Sequence, residues 1–142
     1  MDPDNPIIRL CAEGMSEQAL GNREAAEALF TQAWNDASDD YEACVAAHYL
    51  ARCRDDHDEA FNWNEVALSR ADRVDDERVR GFYPSLHLNM GHSYELRGDR
   101  ASARRQYERA AARIDELPEE PYTAMIRKGI AAGLERVGEA SE

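Results

Sequence analysis

The sequence predicts an all-α chain, on three observations. Apolar side chains recur at steps of three, four and seven over Pro84–Ile114: Leu86, Met90, Tyr94 and Leu96 in one segment, Ala103, Tyr107, Ala110, Ala111 and Ile114 in the next. Such steps place side chains on helical stripes. Proline stands where helices should start, and glycine with a small polar residue stands where they should stop, as in Gly21-Asn22 and Gly98-Asp99. The composition is 43% hydrophobic and rich in Ala, Leu and Arg, which suits a helical protein that buries a real core.

The elements follow in order. Residues 1–4 read as frayed, and Asn5-Pro6 as an N-cap followed by a first-turn proline. A first helix is expected over about Pro6–Leu20 and a second over about Arg23–Ala37, with Ala26, Phe30, Ala33 and Trp34 on its packed stripe. Ser38-Asp39-Asp40 is a turn with Asp40 as the next cap, before a helix over about Tyr41–Cys53 that carries Val45, Ala46, Ala47 and Leu50. The polar run 54–58 is turn-like. A helix over about Glu59–Val74 follows, with Ala60, Trp63, Ala67, Leu68 and Ala71 inward, and 75–83 extends it to a break near Gly81. Phe61 and Trp63 lie two apart, so they cannot face the same neighbour. The pair at Pro84–Ile114 comes next, then the linker 116–121. A last helix spans about Tyr122–Val137 with Gly138 as its C-cap, and the tail 139–142 reads as disordered.

At 142 residues one domain is expected. No window approaches the ~20 apolar residues of a membrane span. The start MDPDNPIIRL lacks the basic and apolar regions of a secretory signal, so cytoplasmic residence is the expectation. The net charge of −12, from 29 acids and 17 bases, repels phosphate and anionic lipid, so neither nucleic acid nor membrane is an expected partner. The five arginines from Arg100 to Arg113 read as a solvated outer face. Sixteen of the seventeen bases are Arg and only Lys128 is lysine, a bias that points to a GC-rich bacterial source. Cys11, Cys44 and Cys53 are an odd count without a close pair and are expected as reduced thiols.

The helix pairs repeat. Gly14 and Gly91 each precede a turn glycine by seven residues, Gly21 and Gly98. Ala26, Phe30 and Ala33 then recur at the same offsets as Ala103, Tyr107 and Ala110. A mid-helix glycine permits close crossing by the partner helix. Ala47, Leu50, Ala60 and Ala67 fill similar places between them. There the turn is one residue longer, and Asn64 stands where the aromatic should be, with Trp63 beside it to fill the space. Ala47 to Gly91 exceeds the usual ~34-residue period by about ten residues. This pattern resembles the tetratricopeptide repeat (TPR) family, in the form of a short bacterial three-repeat protein. The family's first-helix tryptophan and the proline after its second helix have no counterpart at the expected places. The resemblance implies a right-handed α-solenoid of one domain, residues 1–142. Its hairpins would be about 6–37, 41–74 and 84–115, and its capping helix about 121–138.

The family lines a concave groove with the first helix of each pair and typically holds an extended peptide or a partner's helix there. Carried over by helical spacing, the groove takes Met15 and Gln18, with Ile8 and Cys11; Tyr41, His48 and Arg52, with Cys44; and Ser85, Leu88, Asn89, His92 and Glu95. The cap adds Lys128 and Glu135. The family's cradle for a C-terminal carboxylate needs several Lys, Arg and Asn, and only Arg52, Asn89 and Lys128 are available. The expected function is therefore a non-catalytic module that binds a peptide or partner-protein segment, as a monomer or weak homodimer. The alternative is a sensor or accessory subunit that holds a small ligand near His48, His92, Arg52 and Glu95.

No cofactor or metal is expected. Cys44 and His48 share a helical face, flanked by Cys11 and His92, but parallel helices ~8–10 Å apart do not bring such ligands within the ~2.0–2.3 Å of tetrahedral zinc. Cys11 and Cys44 read as packed small hydrophobes. The Asp runs at 39–40, 55–56 and 75–77 read as caps and solubilising turns, and His57 as exposed. No enzyme is expected: there is no GxGxxG loop after a strand, no glycine-rich phosphate loop ending in lysine, no GxSxG and no HExxH.

Overall fold

A computed structural model describes residues 4–74 and 76–139. Within them every regular element is a helix: α1 (Pro6–Ala19), α2 (Arg23–Asp36), α3 (Asp40–Arg52), α4 (His57–Val74), α5 (Glu77–Arg80), α6 (Tyr83–Leu96), α7 (Arg100–Ile114) and α8 (Pro121–Glu139). The chain forms two compact units, residues 1–78 and 79–142.

The first unit holds α1 to α4. Asn5 starts α1 as expected, its side chain accepting from the N–H of Ile7 at 2.8 Å and of Ile8 at 3.2 Å. The helix ends in a left-handed Gly21 (φ +84°). There the Asn22 N–H returns to the Glu17 carbonyl and the Gly21 N–H to Gln18, which satisfies two terminal acceptors. Chain reversal brings Gly14 under Phe30 so closely that a Cβ at Gly14 would overlap the ring. Phe30 is fully buried and stacks at 5.3 Å on Tyr49 of α3. The fit of Gly14 and Phe30 joins α1 to α2, and the stack joins α2 to α3.

α3 is buried at all ten positions from Tyr41 to Leu50. Its alanines and Cys44 are small enough for other helices to approach on several sides. The buried Glu42 is satisfied by the Ser38 N–H at 2.8 Å, the Ser38 hydroxyl and the Asn5 amide. Burial alone would raise its pKa, but these donors outweigh it and hold the carboxyl below its ordinary value.

Two starts differ from expectation. Asp39, not Asp40, caps α3, accepting from the Glu42 N–H, because the extended backbone needed at a cap falls at Asp39. Asp56 accepts from the N–H groups of Asp58 and Glu59, so α4 opens at His57, two residues early. Phe61 is buried in α4, whereas the half-buried Trp63 meets the Trp34 ring edge-on at 5.0 Å. Trp63 therefore does not replace the missing aromatic. One position is about 100° of helix, which turns it to α2, while Asn64 itself is buried.

The unit boundary falls within α5, and the second unit holds α6 to α8. The segment after α4 forms the separate short helix α5 instead of an extension, and Asp76, just before it, accepts from the Arg78 N–H. The α6–α7 hairpin repeats α1–α2 in detail. Gly98 is left-handed (φ +81°), and the Asp99 N–H returns to Tyr94 and the Gly98 N–H to Glu95. A Cβ at Gly91 would lie 2.6 Å from Tyr107 Cε1. Asp99 caps α7 through the Ser102 N–H.

α8 packs on this hairpin. Ala110, Ile114, Ile126 and Ile130 form one apolar cluster, and Ala103, Tyr107 and Val137 another, with Leu88 and Leu134 touching both. Gly133 of α8 presses on the same ring, toward its hydroxyl end, with a Cβ there 2.5 Å from Cζ. Gly138 does not end α8, which continues to Glu139; nothing lies within 4 Å of a Cβ there and no turn forces a left-handed residue. The expectations for residues 1–3, Asp75 and 140–142 fall outside the described residues.

Candidate interaction site

The residues expected to line a groove divide between the units, eight in the first and seven in the second. In the first, Met15 and Arg52 are exposed and Gln18 is half-buried. The α1 positions further inward, Ile8 and Cys11, are core residues. Tyr41 is buried with the Arg78 guanidinium 4.8 Å over its ring, and Arg52 lies 5.9 Å from the Tyr49 ring.

His48 is only 7% exposed and meets Tyr49 edge-on at 5.0 Å. Burial first, and then the Arg52 charge, push its pKa down to about 4, so the imidazole is neutral at neutral pH. Burial also pushes the Cys11 and Cys44 thiols up to about 12. These groups are interior, uncharged and weakly reactive. Among the described residues no three His, Cys, Asp or Glu side chains lie close enough to hold a metal ion.

In the second unit His92, Lys128 and Glu135 are exposed, while Leu88 and Asn89 are half-buried. Leu88 contributes to both apolar clusters. Ser85 is buried and hydrogen-bonded through its hydroxyl to the Tyr122 hydroxyl. Glu95 accepts from Arg136 Nε at 2.7 Å and from the Tyr107 hydroxyl at 2.8 Å. The Arg136 hydrogen bond is the main reason its carboxyl is held below the ordinary value; Tyr107 adds to this and partial burial opposes it. Glu95 thus ties α6 to α7 and α8.

Spacing within one helix could not find these ties. Arg136 is 41 positions from Glu95 and Tyr122 is 37 from Ser85. Only the approach of α8 to α6 brings them together. A third polar pair, His87 Nδ1 with Gln106 Oε1 at 2.8 Å, was likewise invisible; Tyr83 stacks on His87, and Arg113 lies 4.2 Å over Tyr83. The acidic turns do serve as caps: Asp39, Asp56, Asp76 and Asp99 all accept from backbone N–H groups. His57 is exposed in the first turn of α4.

No helix among the described residues is long and apolar enough to cross a membrane. Comparison with protein-family models, curated proteins and solved structures finds no match.

Proposed function

We propose that the chain is a TPR-like, non-catalytic interaction module of the cytoplasm that holds a peptide or a segment of a partner protein on the first helices of its hairpins. The observation that carries this reading is the equivalence of α1–α2 and α6–α7. Each has a mid-helix glycine against an aromatic ring and a left-handed glycine turn seven residues later. A hairpin so locked presents the outer side of its first helix as a rigid ridge, and rigid ridges bind with little ordering cost. Met15, Gln18 and Arg52 in one unit, and Asn89, His92 and Lys128 in the other, retain exposed surface for contact.

The small-ligand alternative draws less support. Of its four central side chains, His48 is buried and neutral and Glu95 is already bonded to Arg136 and Tyr107.

The test is selection from a random peptide library on the intact chain, followed by amide-shift mapping of the selected peptide. Shifts centred on Met15, Gln18, Arg52, Asn89, His92 and Lys128, with weaker binding by Met15→Ala and His92→Ala, are expected. Failure to select any peptide, or shifts that avoid these residues, refutes the reading.

A further inference from the structure

The charge of the chain is unevenly divided. Residues 1–78 carry nineteen acidic and seven basic side chains, which accounts for the whole net charge of −12, whereas residues 79–142 carry ten of each. Five of the seven arginines of the first unit, Arg23, Arg54, Arg70, Arg73 and Arg78, are engaged by carboxylates of that unit. The acidic excess is therefore not neutralised from within.

One concavity joins this charge to apolar surface. An open cleft of about 540 Å³ lies along α1 and α2 and reaches the start of α3. Pro6, Ile7 and Leu10 line it with carbon, Glu13 and Asp36 are exposed at it, and Arg9 is its one basic lining residue. Neither Glu13 nor Asp36 forms an ion pair among the described residues.

Asp36 is also the last residue of α2, whose final turn holds no base. The carbonyl end of a helix already carries partial negative charge, so this carboxylate meets local repulsion that an external cation would relieve. At about 100° per residue, Arg9, Leu10 and Glu13 lie on the opposite side of α1 from Met15 and Gln18. The cleft is thus distinct from the surface assigned to peptide binding above.

We propose that this cleft docks a cationic segment of a partner protein, with arginine or lysine spaced among apolar residues. The long carbon stems of such side chains pack on the exposed Pro6 and half-buried Leu10 while their charged ends reach Glu13 and Asp36. The field of the whole unit steers the segment in, and contact at the cleft selects it. At physiological salt only the last ~8 Å of approach feels unscreened charge.

The probe is a synthetic amphipathic peptide carrying arginines at helical spacing among leucine and alanine, titrated into the full chain and read by fluorescence anisotropy and amide shifts. Glu13→Gln with Asp36→Asn should weaken binding about tenfold, as loss of two contact charges would. Glu59→Gln with Glu65→Gln removes the same charge from exposed positions on α4 and should change it by less than about twofold. Urea unfolding of both variants checks that each remains folded. Equal losses in the two variants would mean a diffuse field and overturn the proposal. So would shifts on the Met15 and Gln18 side of α1, or no binding by the unaltered chain at low salt. Because the two surfaces occupy opposite sides of α1, either can fail while the other stands.

Discussion

Replacing Gly91 by alanine tests the packing on which the hairpin equivalence rests. The new Cβ would lie 2.6 Å from Tyr107 Cε1 and 2.7 Å from Cδ1, where ordinary contact begins at 3.4 Å, so the ring would have to withdraw by roughly 0.8 Å. It has little room. Tyr107 is fully buried, its hydroxyl is fixed to Glu95, and the Cβ direction of Gly133 meets the ring 2.5 Å from Cζ. Overpacking of this kind costs about 1–3 kcal/mol, and alanine returns about 1 kcal/mol of helix propensity over glycine. With the ring confined from two helices, the upper part of the overpacking range applies and the net loss is about 1–2 kcal/mol.

Urea unfolding followed by circular dichroism measures it. Gly138→Ala is the control: it too is helical, but nothing lies within 4 Å of its Cβ, so it should leave stability unchanged or raise it by up to ~1 kcal/mol. In a Tyr107→Ala background, Gly91→Ala should instead stabilise by up to ~1 kcal/mol, giving a coupling of about 2–3 kcal/mol. If Gly91→Ala is as stable as the unaltered chain, the close-crossing argument is wrong, and with it the equivalence of the two hairpins.

Two further outcomes follow from the buried titratable groups. His48 has a folded pKa of about 4 against 6.5 for an exposed histidine, so the unfolded chain binds the extra proton between those values. Stability should therefore be full above pH 6.5 and fall as pH drops toward 4. His48→Gln should flatten that slope, while the loss from the lowered Glu42 carboxyl should persist and begin only below 4.5. Thiol labelling of the native chain should modify the half-buried Cys53 first; Cys11 and Cys44, buried and raised to about 12, should react only on the timescale of unfolding, as peptide mapping would show.

What the sequence made legible were local demands on space and backbone. Gly14, Gly21, Gly91 and Gly98 were readable because a close crossing and a left-handed turn each require a missing Cβ, and they recur at one offset. Helix starts were less so. Asp39 and Asp40, or Asp55, Asp56 and Asp58, are chemically equivalent caps, and only backbone geometry chooses among them. Gly138 misled because glycine is a frequent helix terminator, yet its backbone is not left-handed and α8 runs on through Glu139.

For the candidate site, spacing placed Tyr41 and His48 on one face of α3 but could not reveal that residues 41–50 are buried on every side. Burial is contributed by neighbours distant in sequence, as are the Arg136 and Tyr122 ties. The charge asymmetry, by contrast, could be counted from the sequence, but it gained a location only with the cleft between α1 and α2.

The pairing of neighbours in sequence also bears on how the chain comes to be folded. The tight joints, Gly14 with Phe30 and Gly91 with Tyr107, close loops of fewer than about twenty residues, at a small entropic cost. Each hairpin can therefore form before the next part of the chain leaves the ribosome. Helical proteins built from such short-range contacts fold in the microsecond to millisecond range. The same economy lets a hairpin be duplicated or lost without rewiring the others, which suits an ancestry by repetition in which α3–α4 kept the outline of the hairpin while exchanging its aromatic for Asn64.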